Sequence, residues 1–390
     1  MSSPVKKRKK KTTTSQILPP TPQSTQIPSL PDDLLISIFA RVSRLDYPIL
    51  SLVSKSFRSL LASPELYETR SFLGRTESCL YVCLGFPSDS NPRWFTLCRK
   101  PNPTLTNSMK KKKNKKSSGH VMAAISIPNS PPAHWSGLVA VGSDIYNIGG
   151  SIYKEYSSSI SILDCRSHTW HEAPSMLVER SYPAANVIDG EIYVAGGCKE
   201  SNSSNWMEAF DLKTRTWEPV LNPIADRCET RICKSAVIEE AICFFGDKGV
   251  AYNPKIDRWE AIGAVNYLDL GWVWFSYCVI DNVLYCYSTL DGIRLYDSKI
   301  GRWIKLKGLE GLPKFASYGC VKLADYGGKM AVLWDKYLPS SGYKNKVIWC
   351  AVITLGRRYN EEIYGKVEWL DAVLTVPESY KFVCARAATV

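Results

Sequence analysis

Two hydrophobic periods divide the chain. Between residues 30 and 66, Leu34, Ile38, Phe39 and Val42 recur at helical spacing and predict one apolar stripe. Pro31 suits the first position of that helix, where its missing N–H costs nothing, and Asp32 and Asp33 complement the positive end of the helix dipole. A second short helix is expected after Asp46 with Leu50, Leu52 and Val53; a third carries Phe57, Leu60 and Leu61 and stops near Pro64. From about residue 79 the pattern becomes short apolar runs separated by turn residues, which predicts β-strands. Residues 1–29 follow neither period. Pro19, Pro20, Pro22 and Pro28 stand there among Ser, Thr and Gln, a composition that buries too little apolar surface to order, so a disordered basic tail is expected.

The strand region repeats itself. Ile145-Tyr146-x-x-Gly149-Gly150 returns as Ile192-Tyr193-x-x-Gly196-Gly197, and Asp164 and Trp170 return as Asp211 and Trp217. Two shorter copies keep the ends: Ile242, Asn253 and Trp259, then Leu284, Asp297 and Trp303. In all four, Asp or Asn precedes Trp by six residues and is itself preceded by Leu163, Phe210, Tyr252 or Tyr296. Each copy opens on a hairpin turning at Gly142-Ser143, Asp189-Gly190, Glu239-Glu240 or Asp281-Asn282. Four short strands in 42 to 47 residues fit one blade of a propeller. Residues 316–376 supply another blade, with a hairpin around Asp325 to Lys329. At the front, Leu80 to Leu84 and Arg93 to Leu97 look like a third and a fourth strand, for which the C-terminal strand Tyr380 to Ala388 could provide an inner partner. Closure from both ends removes exposed sheet edges and brings the count to six blades.

The helical segment resembles an F-box: Leu30-Pro31 at its start, Ile38-Phe39 in the first helix, then Leu50-x-x-Val53-Ser54-Lys55-x-Phe57-Arg58-x-Leu60. Ser54-Lys55-Ser56-Phe57 stands where many members carry Cys-Arg-x-Trp. The strand repeats resemble kelch motifs, with the double Gly ending the second strand and Trp on the fourth. Together they are most similar to the plant F-box/kelch group. The expected fold is mainly β: a kelch-type β-propeller of about six blades at 79–390, preceded by a three-helix F-box at 30–73 and the basic tail at 1–29. What the resemblance implies is a non-catalytic substrate receptor of a Skp/cullin/F-box ubiquitin ligase. The helices would dock on a Skp-type adaptor through Leu30, Pro31, Leu34, Ile38, Phe39, Val42, Leu50, Val53, Phe57 and Leu60, and the propeller would bind the protein to be ubiquitinated.

In a four-stranded antiparallel blade, the connections from strand two to three and from strand four to the next blade share one face, where partner contacts are expected. That face collects Tyr153, Arg180, Asn202, Arg227 and Arg231. A lysine-rich insert at 100–133 is expected to hang from it as well, following a fourth strand that contains Trp94. The repeated tryptophans are read as blade packing, and the double glycines as close-approach positions rather than a phosphate loop, since no helix follows them.

Charge changes this picture little. The net charge of +12 arises from Lys6 to Lys11 and from Lys110 to Lys113 with Lys115 and Lys116; without those twelve, cations and acids balance at 37 each. A nucleic-acid-binding face would spread positive charge over the fold, so no nucleic-acid partner is expected. No membrane span is expected either, since runs such as Leu270 to Ile280 are too short. The N-terminus does not read as a secretory signal, so the chain is placed in the cytoplasm, the nucleus or both, with Lys6 to Lys11 as an import signal. The 13 cysteines include no C-x-x-C pair, which suggests reduced thiols rather than a disulfide framework. Cys165, His168 and His171 lack a fourth zinc ligand nearby in sequence, and no metal or other cofactor is expected. Two other readings stay open: a kelch scaffold unconnected to ubiquitin, and a kelch-type metal oxidase. The oxidase needs converging imidazole and tyrosinate ligands, against only His120, His134, His168 and His171 here.

Overall fold

The computed structural model describes residues 30–100, 118–127, 130–150, 155–199, 204–225, 228, 232, 234–246, 249–263, 272–297, 300–313, 315, 320–358 and 362–390. Both lysine runs lie outside the described residues. Among the described residues four α-helices come first: α1 (Asp32–Phe39), α2 (Tyr47–Leu50), α3 (Lys55–Leu61) and α4 (Pro64–Phe72). The expectation of three helices is corrected by α4. Pro64 stops nothing further than α3 and itself opens a new helix, because the Ser63 hydroxyl accepts from Leu66 N at 3.4 Å and proline fits the first helical position. Ser54 caps α3 in the same way, accepting from Phe57 N at 3.0 Å. No helix among the described residues is long and apolar enough to cross a membrane.

Among the described residues six four-stranded antiparallel sheets follow and form the blades of a propeller, blades 2 to 6 spanning 138–173, 184–220, 234–263, 272–305 and 321–377. Blade 1 is closed from both ends of the chain: the C-terminal strand Lys381–Thr389 is innermost and pairs with Ser78–Gly85, setting Leu80 opposite Ala387 and Cys83 opposite Cys384. Arg93–Arg99 comes third and His120–Ala124 fourth. Leu80 to Leu84 and Arg93 to Leu97 are therefore the second and third strands, not the third and fourth. The true fourth strand lies inside the segment assigned to the insert, where five weakly patterned residues beside a lysine run carry little strand signal. This moves the lysine-rich connection: it joins strand three to strand four and so leaves the propeller on the face opposite to the one expected. Asp371 pins its base, accepting from Ser118 N at 3.0 Å and His120 N at 2.9 Å.

The four repeats align in register. Trp170 pairs with Leu163, Trp217 with Phe210, Trp259 with Tyr252 and Trp303 with Tyr296 across the third and fourth strands. The spacing of six is a turn rule. The Asp or Asn side chain closes the turn, Asp164 accepting from Arg166 N at 2.8 Å, Asp211 from Lys213 N at 2.6 Å and Asn253 from Lys255 N at 3.0 Å. Two residues before each Trp the backbone is left-handed, at His168, Arg215, Asp257 and Gly301. At the double glycine of blade 3, Gly197 has φ +73° and a Cβ there would stand 2.5 Å from the Ser181 carbonyl oxygen, which leaves glycine as the residue that fits.

Trp170 and Trp217 are equivalent, as expected, but half-buried rather than buried. The Trp170 ring lies 6.1 Å from that of Trp94 in blade 1, while Trp217 Nε1 donates to Pro174 O and Trp259 Nε1 to Leu221 O, both at 2.9 Å, at the ends of the blades before them. Trp217→Ala should accordingly cost about 2 to 3 kcal/mol in a urea melt, below the value for a fully buried indole. A melt like the parent's would mean that these staples carry no stability.

Candidate functional site

Helix α1 carries two apolar rows. Leu35, Phe39 and Ala40 point inward, with Phe39 3% exposed and its ring 4.9 Å from that of Phe57 in an edge-on contact. Leu34 and Ile38, four residues apart, stay about half exposed at 53% and 49%. Leu30 and Pro31 before the helix, and Leu52 and Val53 after α2, are exposed too. The sequence-predicted docking set therefore separates into two. Leu30, Pro31, Leu34, Ile38 and Val53 offer surface; Phe39 is buried, and Val42, Leu50, Phe57 and Leu60 are half-buried against the core beneath it. The single stripe expected from periodicity merged an outer row with an inner one and omitted Leu35.

The inner row belongs to a core that continues into the propeller, joining Leu35, Phe39, Leu61, Leu66 and Tyr67 to Tyr81, Trp94, Leu163 and Cys165. Polar contacts fix the junction. Arg44 donates from Nη2 to Cys165 O at 2.8 Å and from Nη1 to the Tyr67 hydroxyl, while Arg99 pairs with Asp46 at 2.9 Å. Arg70, fully buried, donates to Val42 O at 2.8 Å and to Glu77 Oε1 at 3.0 Å; Glu77 Oε2 in turn accepts from Ser43 Oγ at 2.9 Å and Arg44 N at 3.1 Å. These anchors sit at the turn after Asp164 and at the ends of blade 1. The helices therefore cover the face bearing the connections from strand one to two and three to four. Among the described residues no helix covers the other face, here called the open face. Nothing in the pattern distinguished Arg44 or Arg70 from solvent-facing arginines.

Cys165, His168 and His171 take structural places. His168 occupies the left-handed turn position, with Nε2 3.2 Å from the Tyr81 hydroxyl; Cys165 is buried with Sγ toward Leu163 O, and His171 Nε2 meets Thr169 Oγ1 at 2.9 Å. Among the described residues no group of His, Cys, Asp and Glu is arranged to hold a metal, and the described cysteines are free. Burial, aided by Arg44, lowers the His168 pKa to about 4, and burial does the same at His134. The fold keeps both imidazoles neutral, while the unfolded chain takes up protons below about pH 6.5. Stability is thus complete above that pH and is lost as pH falls toward 4. Urea midpoints should drop between pH 7 and pH 5 by the equivalent of about 1 to 2 kcal/mol per histidine, and His168→Gln should remove its share.

On the open face, Arg180 lies in the connection from blade 2 to blade 3, as expected, but its side chain is not a contact group. It is fully buried and donates from Nε to Glu208 Oε1 at 2.9 Å, from Nη1 to Gly196 O at 2.8 Å and Trp206 O at 3.1 Å, and from Nη2 to Asn205 O at 2.8 Å. Its backbone also exchanges hydrogen bonds with Ser157 at 3.0 and 3.1 Å. The physical reason is that three loop carbonyls and the Glu208 carboxylate converge where sequence spacing shows only a loop arginine. Tyr153, Asn202, Arg227 and Arg231 lie outside the described residues. Leu177 and Leu221, which the pattern did not single out, stand exposed on the same face at 58% and 67%.

Comparison with known proteins agrees with both halves. A family model described as the FKB95 kelch-repeats domain matches residues 94–374, and an F-box domain model matches residues 27–69. F-box/kelch-repeat protein At4g39550 of Arabidopsis thaliana is 62% identical over 401 residues, covering 100% of both chains. From the same plant, F-box/kelch-repeat protein At4g39560 is 79% identical over 276 residues, 70% of this chain and 98% of its own. F-box/kelch-repeat protein At5g49000, also from Arabidopsis thaliana, is 62% identical over 389 residues and 100% of both chains.

Proposed function

This chain belongs to the F-box/kelch-repeat family, and from that premise we propose that it is the substrate receptor of a Skp/cullin/F-box ubiquitin ligase. The observation that carries the reading is the outer row of α1. Leu34 and Ile38 are large, apolar and left uncovered while Leu35 and Phe39 of the same helix are buried in the core, which is the state of a surface kept for a partner. A Skp-type adaptor takes that row and, through it, the cullin. The protein substrate takes the open propeller face, with Leu177, Leu221 and the neighbouring connections as its contact points. The chain supplies no chemistry of its own; it holds two proteins at a fixed separation while ubiquitin is transferred by others.

Proximity labelling in cells with the proteasome blocked tests this. Intact protein should label a Skp-type adaptor, a cullin and a set of ubiquitin-bearing proteins. A Leu34→Asp/Ile38→Asp variant should keep the propeller partners without ubiquitin and lose the adaptor and cullin. An unchanged adaptor signal in the variant would refute the docking row. The run Lys6 to Lys11 is assigned to nuclear import, so replacing it with Gln should shift the protein toward the cytoplasm in fluorescence images.

A further inference from the structure

Cys83, in the second strand of blade 1, and Cys384, in the closing strand, face each other in register. Residues directly opposite in an antiparallel pair stand about 4.5 to 5.5 Å apart at Cα, inside the range that a disulfide spans. Among the described residues no other two cysteines are register partners. Both are free and buried, Cys83 0% and Cys384 3% exposed. Their access to solvent differs. All six innermost strands line a cavity of about 410 Å³ on the propeller axis, and Cys384 belongs to its wall while Cys83 does not. A small solute that enters this channel therefore meets Cys384 first.

The two thiols also differ in acidity. Burial acts to raise the Cys384 pKa, but contact with Cys83 and the charges of Arg386 and Lys322 outweigh it, so this group lies below the usual thiol value. Burial and the same contact push the Cys83 thiol well above it. The nucleophilic thiolate is thus favoured at the residue that the channel reaches. We propose that Cys83 and Cys384 form a redox pair, which hydrogen peroxide entering the axial channel converts into a disulfide that fastens the closing strand to the rest of blade 1. The Cys384 thiolate attacks one peroxide oxygen and the O–O bond breaks; the departing hydroxide takes up the proton that the thiol gave up, leaving water and a sulfenic acid at Cys384. The Cys83 sulfur then attacks the sulfenic sulfur. The S–S bond forms, the S–O bond breaks, and the hydroxyl leaves with the Cys83 proton as a second water. Two thiols lose two electrons and two protons, and one peroxide is reduced to two waters. Blades 2 to 6 all lie between the two residues in sequence, so the bond turns the ring into a covalently closed loop. A cross-link that closes so long a loop constrains the unfolded chain strongly, and oxidation should appear as added stability.

The test uses the full-length protein, reduced, freed of reductant and treated with hydrogen peroxide, then blocked with iodoacetamide under denaturing conditions and mapped by peptide mass spectrometry. The expected result is a disulfide-linked peptide pair containing Cys83 and Cys384, reversed by dithiothreitol, with a melting temperature about 5 °C or more above that of the reduced protein. Cys83→Ala should stop at the first step and let dimedone, which traps sulfenic acids, label Cys384; Cys384→Ala should leave Cys83 a thiol. Should either variant fail to fold, the linked pair in the parent decides by itself. A folded parent in which peroxide leaves Cys83 and Cys384 unlinked overturns the proposal, as does a link that forms only after unfolding. Dimedone on Cys83 in Cys384→Ala, with none on Cys384 in Cys83→Ala, overturns it as well. The readout involves no adaptor, so failure here leaves the receptor reading standing.

Discussion

Leu34→Asp/Ile38→Asp should abolish capture of a Skp-type adaptor and leave the melting temperature close to the parent's. Both side chains sit in the outer row of α1, so a carboxylate there meets water in the free protein and an apolar partner surface in the complex. Apolar anchors at the centre of an interface commonly contribute 2 kcal/mol or more each, so the pair amounts to about 4 kcal/mol, roughly a thousandfold in affinity. Phe39→Ala should behave in the opposite way. Its ring is buried against Phe57, and truncation leaves a cavity costing about 3 to 5 kcal/mol of stability. Any loss of adaptor binding in Phe39→Ala should follow the unfolded fraction. Pull-down and thermal melts on the same preparations separate the two effects, and adaptor binding retained by the double Asp variant would show that the outer row is not the docking surface.

A second large effect is expected at the buried ion pair of the open face. Arg180 and Glu208 are 0% and 1% exposed, and Glu208 also accepts from Leu177 N at 2.7 Å. Arg180→Ala leaves a buried carboxylate without its cation and takes a donor from the Gly196, Asn205 and Trp206 carbonyls, a loss of about 3 to 5 kcal/mol. Replacing the pair together, as Arg180→Met/Glu208→Leu, should recover most of that stability, because no uncompensated charge remains. The double variant should still loosen the connections around Ser157 and Gly196, visible as faster amide exchange there. A single Arg180→Ala variant as stable as the parent would show that the pair does not hold these loops.

The repeats made the propeller legible because their spacing encodes a turn: a capping Asp or Asn, a left-handed residue and a Trp that staples one blade to the one before. Where that turn is degenerate, in blade 1, the strand order was misassigned by one position and the lysine-rich connection was placed on the wrong face. The helical period located α1 but could not separate its rows, since Leu34, Leu35, Ile38 and Phe39 all read as apolar. Only packing against α3, α4 and the core they share with the propeller decides which of them stay outside. Arg180 shows the converse difficulty. A loop arginine in sequence looks like a contact residue, and its buried role appears only when Glu208, 28 positions later, folds beneath it.

As a substrate receptor the chain would bridge a Skp-type adaptor, through the outer row of α1, to a protein held by the propeller. Light scattering after size exclusion of the intact chain mixed with a purified Skp-type adaptor tests the first half of that bridge most directly. The expected result is a stable one-to-one complex that the Leu34→Asp/Ile38→Asp variant does not form. Separate elution of the two intact proteins, with both folded, would contradict it.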